Sequence, residues 1–142
     1  MADLFKDPTS GDLFLSGAKQ PRLTTGTEEA MQRIKARLCR WAGEWRFDTT
    51  LGVPYRRDVL LKNPDLSVVR TLLTQEIEGT DGVERVVDMS LVLVPATRGL
   101  QISFEARLED TGEIIGSDIA LFPIVSDDDA VLTTDFGETI VL

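Results

Sequence analysis

The sequence predicts an α+β domain: two main helices packed on one face of a three- to four-stranded antiparallel meander, with an N-terminal hairpin and an extended C-terminal arm. Two observations predict it. In the first half, apolar residues recur at spacings of three and four, at Ala30, Met31, Ile34, Leu38 and Trp41 and again at Leu66, Val69, Leu72, Leu73 and Ile77. That is the period of a helix with one buried side. In the second half the period becomes two. Val87, Met89, Leu91 and Leu93 alternate with Asp88, Ser90, Val92 and Val94, and Leu100, Ile102, Phe104, Ala106 and Leu108 alternate with Gln101, Ser103, Glu105 and Arg107. Helices followed by a one-faced meander make a two-layer domain, with the helices on the sheet's apolar side.

Each element has its own signals. Residues 1–10 read as a flexible start, residues 11–123 as the α+β body and residues 124–142 as a C-terminal β arm. Gly11–Gly17 is a short strand, and Pro21–Thr25 is its return. Thr25 followed three residues later by Glu28 fits a capping box, so the first helix is expected to start there, to run to Trp41 or Ala42 and to stop at Gly43. Gly43–Pro54 is a loop, and Tyr55–Leu61 a short helix. Asn63-Pro64-Asp65 opens the second helix, with asparagine as cap, and Gly79 closes it after Glu78. Turns are expected at Pro95–Gly99 and Asp110–Gly112, and a third meander strand over Ile114–Phe122. Past the charge run Asp127-Asp128-Asp129, residues 130–134 and 138–142 look extended. They leave an apolar edge that pairs either with the chain's own sheet or with a neighbour.

Composition narrows the chemistry. The chain has 142 residues, enough for one domain with a real core. No apolar run approaches a membrane span, and the N-terminus lacks the basic-then-apolar pattern of a signal peptide. The single cysteine, Cys39, excludes an intrachain disulfide and a multi-cysteine metal site. The absence of histidine excludes serine–histidine and cysteine–histidine nucleophile pairs. Charge is unevenly spread: Lys19–Lys62 holds 10 basic and 5 acidic residues, whereas Asn63–Leu142 holds 4 basic and 16 acidic. A dipolar chain with net charge −9 suits packing against charged protein neighbours better than nucleic acid.

The candidate residues are read from these patterns. Arg33, Arg37 and Arg40 form a helical stripe that suits phosphate or carboxylate, and the net negative charge favours carboxylates, of this chain's own acidic sheet or of a partner. Glu44 beside Trp45 is the best single candidate for a desolvated acid, against the plainer reading of a loop glutamate that caps a helix or pairs with an arginine. Trp41, Trp45 and Phe47 either anchor a partner or fill the core, the commoner fate. Cys39, beside the apolar stripe, is expected to be partly buried and unreactive. The contiguous aspartates lack the spacing of a calcium loop and read as a solvated linker.

The stretch Gly43-Glu44-Trp45-Arg46-Phe47-Asp48-Thr49-Thr50-Leu51-Gly52-Val53-Pro54-Tyr55 resembles the Gly-Glu-Trp…Gly-Val-Pro signature of small baseplate proteins of contractile-tailed phages. An arginine-bearing helix before it, an Asn-Pro helix start after it and a Gly-Val segment entering a meander extend the resemblance over roughly residues 11–110. That wider family includes the baseplate wedge subunit that acts as sheath initiator and the small baseplate subunit of type VI secretion. The resemblance implies a non-catalytic structural subunit of a virion tail baseplate, assembled in the host cytoplasm. Its implied partners are other baseplate wedge proteins and tail tube or sheath subunits, with no cofactor, membrane or nucleic acid and several copies, about six, around the tail axis. The family's Glu-Pro-Arg motif, implicated in wedge contacts, corresponds to Val83-Glu84-Arg85-Val86 here without its proline, which points to Glu84 and Arg85. Sheath subunits of such machines exchange strands, and a sheath initiator presents a sheet that copies one. Hence Ile140, Val141 and Leu142 are the arm's candidate contact residues. The alternatives are a tail-borne peptidoglycan hydrolase with Glu44 as the acid, and a free adaptor or chaperone domain.

Overall fold

A computed structural model of the chain describes residues 2–94, 99–121, 131–133 and 139–141. Two short strands come first, β1 (Asp3–Leu4) and β2 (Leu23–Thr24), then helix α1 (Thr27–Leu38), one turn of π-helix (Tyr55–Val59) and helix α2 (Leu66–Glu78). Strands β3 (Val83–Val94), β4 (Gly99–Leu108) and β5 (Ile114–Leu121) come next, and β6 (Val131–Thr133) and β7 (Thr139–Val141) end the order. The fold is α+β, as the change of period predicts. The three long strands form an antiparallel sheet in the order β3-β4-β5, while β6 and β7 pair with each other in a separate sheet.

β4 sits in the middle of the main sheet and shows its alternation most cleanly. Leu100, Ile102, Phe104, Ala106 and Leu108 are buried, and Gln101, Ser103 and Glu105 are exposed. The helices cover this apolar face, α2 packing on β3, α1 on β5, and the two helices on each other. α1 contributes Ile34 and Leu38, and α2 contributes Val69, Leu73 and Ile77, all fully buried. Burying each such side chain stabilises the fold by roughly 1.5–3 kcal/mol. Truncating one, as in Leu73→Ala, costs about 2–5 kcal/mol because the cavity adds to the lost transfer energy.

Three expectations about the helices are corrected. α1 has Gly26 at its N-cap (φ 66°) and no side-chain cap. The capping box does not form, because Glu28 turns to the Arg22 guanidinium at 3.0 Å instead. α1 ends at Leu38, not at Trp41, and Arg40 and Trp41 leave the helix to pair with Val53. α2 is capped by Asp65, whose carboxylate accepts from the Ser67 N–H at 2.9 Å, and not by Asn63. The short helix at Tyr55 is a π turn.

The N-terminal residues are built into the fold. Asp3 and Leu4 pair with Thr24 and Leu23. The expected hairpin of residues 11–17 with 21–25 is reduced to a single bridge, Leu15 with Pro21, and a second bridge joins Leu13 to Lys6. Gln32 on α1 fastens this platform by accepting from the Lys6 N–H at 2.9 Å and donating to the Leu4 carbonyl at 2.7 Å.

In β3, strict alternation would turn Val87 inward, but Val87 is 45% exposed. Two register shifts explain it. Val83 faces Leu108 and Arg85 faces Arg107, which leaves Glu84 over; Val86 faces Ala106 and Asp88 faces Glu105, which leaves Val87 over. Each β-bulge adds one residue and reverses the phase of the strand beyond it. The inward series becomes Val83, Val86, Met89, Leu91, Leu93.

Candidate partner-binding surfaces

The backbone of the sheet edges is the first candidate. β5 pairs with β4 residue for residue from Ile114–Arg107 to Leu121–Leu100, without a shift. The connecting turn closes with the Leu108 N–H donating to the Glu113 carbonyl. Antiparallel alternation then aims the N–H groups of Gly116 and Asp118 away from β4. Among the described residues β5 has no strand on that side. β3 differs: besides its two bulges, the Val86 N–H is taken at 3.0 Å by the Glu78 carboxylate at the end of α2. Bulges and a carboxylate laid on the backbone are ways to blunt a strand edge.

The Gly43–Tyr55 signature folds into a closed loop. Its neck is the Ala42 N–H to the Val53 carbonyl and the Val53 N–H to the Arg40 carbonyl, both 2.9 Å. Gly52 (φ 105°) lies so close to the neck that a Cβ would meet the Trp41 carbonyl carbon at 2.6 Å, so no other residue fits. Glu44 neither caps a helix nor is desolvated: it is exposed and accepts from the Trp41 N–H at 3.1 Å, past the end of α1. Asp48 accepts from the Thr50 N–H and hydroxyl, and these bonds hold its carboxyl below the ordinary range. Beneath the loop Tyr55 is buried, and its hydroxyl donates to the Leu38 carbonyl. Burial, with smaller contributions from Cys39 and Glu76, pushes that hydroxyl well above its ordinary range.

The three aromatics in and beside this loop separate. Trp41 is half-buried, its ring 5.5 Å from that of Tyr55. Trp45 and Phe47 are 51% and 84% exposed, so the core-packing expectation fails for both. Their rings meet edge to face at 5.6 Å. A pair of exposed aromatics on a loop held by its own hydrogen bonds has the shape that interface anchors take.

The arginine stripe is largely used inside the chain. Arg33 pairs with the buried Glu29, one turn back on α1. Arg37 reaches Glu76 on α2 at 3.2 Å and donates to the Gly79 carbonyl, tying the two helices at the foot of β3. Arg40 lies beyond the end of α1, so the stripe is not three residues of one helix. Glu84 and Arg85 fall on the first bulge of β3 and are exposed, with Arg85 directly opposite Arg107. Two like charges across a strand pair repel each other and favour an incoming carboxylate. Ile140 and Val141 lie in β7. Leu142 and the Asp127–Asp129 run lie outside the described residues. Cys39 is half-buried, as expected. Among the described residues no cluster of acids, cysteines or histidines is arranged to hold a metal ion, and no helix is long and apolar enough to cross a membrane.

Sequence reasoning missed Glu78 and the difference between the edges. The doubled valine Val86-Val87 is the one local sign of a phase slip, and it reads equally well as plain strand.

The fold is shared with a crystal structure from Geobacter sulfurreducens, a protein proposed to be a tail lysozyme. The TM-score is 0.62 at 15% identity, over 76% of this chain and 99% of that one. At that identity the likeness concerns the fold. No curated protein matches the chain in sequence. A family model for the contractile injection system sheath initiator matches residues 2–111, which takes in the platform, both helices, the signature loop and β3-β4. The chain belongs to the contractile injection system sheath initiator family.

Proposed function

We propose that this chain is a non-catalytic subunit of a baseplate wedge that links wedge proteins to the tail tube or first sheath ring by offering the β5 edge to a neighbour's strand. A sheath initiator has a structural role in the baseplate of a contractile injection system. The observation that carries the finer reading is the contrast between a shift-free β5 and a bulged, carboxylate-capped β3. Backbone hydrogen bonds along an open edge supply affinity, and alternate side chains supply register. The exposed Trp45 and Phe47, the loop that Glu44 holds, and Arg40, Glu84 and Arg85 face the larger wedge proteins. Arg33 and Arg37 act indirectly, by fixing α1 on its own turn and on α2. The C-terminal arm, with Ile140, Val141 and Leu142, reaches outward to a neighbour. Several copies, about six, surround the tail axis, as the resemblance to baseplate subunits implies, and assembly takes place in the host cytoplasm.

The test is purification of the intact particle together with capture of sheath and tube subunits by the isolated chain. The protein is expected in particles at a fixed ratio to the other wedge proteins and is expected to retain sheath subunits. Its absence from particles ends the proposal.

The name of the Geobacter protein favours a second reading, peptidoglycan hydrolysis. Glu44 is the acid that reading nominates, and here it is exposed and hydrogen-bonded to the Trp41 N–H. A glycosidase acid with a raised pKa needs a desolvated site. Turnover of peptidoglycan by the purified chain, abolished by Glu44→Gln, would establish the second reading; no turnover is expected.

A further inference from the structure

β5 carries a glycine that its own backbone does not require. Gly116 stands mid-strand, directly opposite Glu105, in a ladder without a register shift. It is not among the glycines with positive φ. Neither a bulge nor a left-handed backbone calls for it, and a glycine inside a strand weakens that strand. What Gly116 supplies is space, and a strand glycine of this kind marks a close approach by another group.

The space lies between the open edge and a carboxylate. A Cβ added at Gly116 would meet the Phe104 carbonyl oxygen at 3.3 Å and the Glu105 Cγ at 3.5 Å, so the Glu105 side chain extends toward β5 and rests against the bare glycine. Glu105 is exposed, and Asp88 stands opposite it on β3. Asp118 follows Gly116 on the same outer face of β5 and is exposed too. None of the three acids has an ion pair among the described residues. Arg107 shares the face two residues along β4, opposite Arg85, and pairs with none of them; its Nε has no hydrogen-bond partner. A strand added to β5 sets one residue beside Gly116 on this face, two strand spacings or roughly 9–10 Å of backbone from Glu105. A lysine or arginine at that position can lie across the glycine and reach the Glu105 carboxylate. An acid there meets Glu105 and Asp118 as like charge, which is unfavourable between neighbouring strands.

We propose that the β5 edge selects a strand bearing a lysine or arginine opposite Gly116, with Glu105 as its counter-ion. The inference rests on the reading of β5 as the docking edge and adds what the neighbour's strand must carry. Backbone bonds hold the strand, and this one pair fixes which residue of it sits at Gly116.

The test is the affinity of the isolated full chain for sheath subunits of the same particle, measured by titration. Glu105→Gln should weaken binding about threefold and Glu105→Lys about tenfold, with an unchanged circular dichroism spectrum because the side chain is exposed. Glu109→Gln removes the same unit of charge from the turn after β4 and should leave binding unchanged. Gly116→Thr fills the space with a good strand former and should weaken binding about threefold, and the double variant Glu105→Gln, Gly116→Thr should lose no more than either alone, since both act on one contact. Binding by Glu105→Lys that is unchanged or tighter overturns the proposal, as does a loss in Glu109→Gln equal to that in Glu105→Gln. A double variant that loses the product of the two single effects also overturns it, because Gly116 then acts apart from Glu105. Asp118→Pro, which removes an N–H of the open edge, separates the two readings. If it weakens binding while Glu105→Lys does not, the edge stands and the basic residue falls; if neither does, or if the unaltered chain captures no sheath subunit, both fall.

Discussion

β3 and β5 flank the same central strand, yet the chain treats them oppositely. β3 is longer, carries two bulges, lies against α2 and has an edge N–H covered by Glu78. β5 is shorter, regular and paired only with β4 among the described residues. An unprotected edge is an aggregation hazard that a monomeric protein usually blunts. Blunting one edge and leaving the other regular confines an added strand to one side. Register on that side is set by the pleat: Ile115, Ile119 and Leu121 face the core, so a slip of one residue by an incoming strand would put its apolar side chains in water.

The largest expected effect comes from closing the open edge. In Asp118→Pro the lost N–H is one that points away from β4, so the β4-β5 ladder keeps its bonds and the chain is expected to fold. Capture of sheath subunits should fall by at least about tenfold, since each missing backbone bond also leaves the neighbour's carbonyl unsatisfied. Unchanged capture with a normal circular dichroism spectrum would move the docking surface away from β5.

The next effect concerns the closed side. Arg37→Met keeps the aliphatic stem but removes the ion pair to Glu76 and the bond to the Gly79 carbonyl, at a cost of about 1–3 kcal/mol for hydrogen bonds to a half-buried charged group. Chemical denaturation measures it. A loss below about 0.5 kcal/mol would mean that the tie between α1 and α2 adds little to the packing of their apolar stripes.

A third test asks whether the contrast belongs to the edges or to the body beneath them. Tyr55→Phe leaves the Leu38 carbonyl buried without its donor and should cost about 1–2 kcal/mol while leaving sheath capture unchanged. The tyrosine hydroxyl is raised in the folded chain, so folding keeps its proton where the unfolded chain has lost it. Its contribution to stability is complete below the unfolded value near pH ~10 and declines as pH rises above it. Tyr55 is the chain's one tyrosine, so phenolate absorbance should rise together with loss of the folded signal. Ionisation well before unfolding would contradict the buried, bonded hydroxyl.

Legibility in the sequence divides along the same line. The helical spacing of Ile34, Leu38, Val69, Leu73 and Ile77 and the alternation of Leu100–Leu108 report burial directly, and burial is what most of the fold consists of. The helix boundaries moved where a side chain had a better partner than its own helix end, as with Glu28 and Arg22. Arg33, Arg37 and Arg40 make one stripe only on a helix that continues past Leu38, where α1 ends. The bulges at Glu84 and Val87 depend on how β3 meets α2 and β4, and no pattern within a single strand encodes that. Of the two fates open to Trp45 and Phe47, the commoner one, core packing, fails, because the loop's hydrogen bonds turn them outward.

The smallest expected effect sharpens the comparison most. In Glu78→Ala the Val86 N–H loses its carboxylate but gains access to water, because the site is exposed; the cost should stay below about 1 kcal/mol. The informative readout is sheath capture. The bulges at Glu84 and Val87 remain, and they break the even spacing of backbone groups that an incoming strand needs. Capture should therefore be unchanged, and Glu78→Ala combined with Asp118→Pro should bind as poorly as Asp118→Pro alone. If the double variant instead recovers capture, β3 accepts a strand once its carboxylate is gone, and Glu78, not the bulges, is what keeps that edge closed.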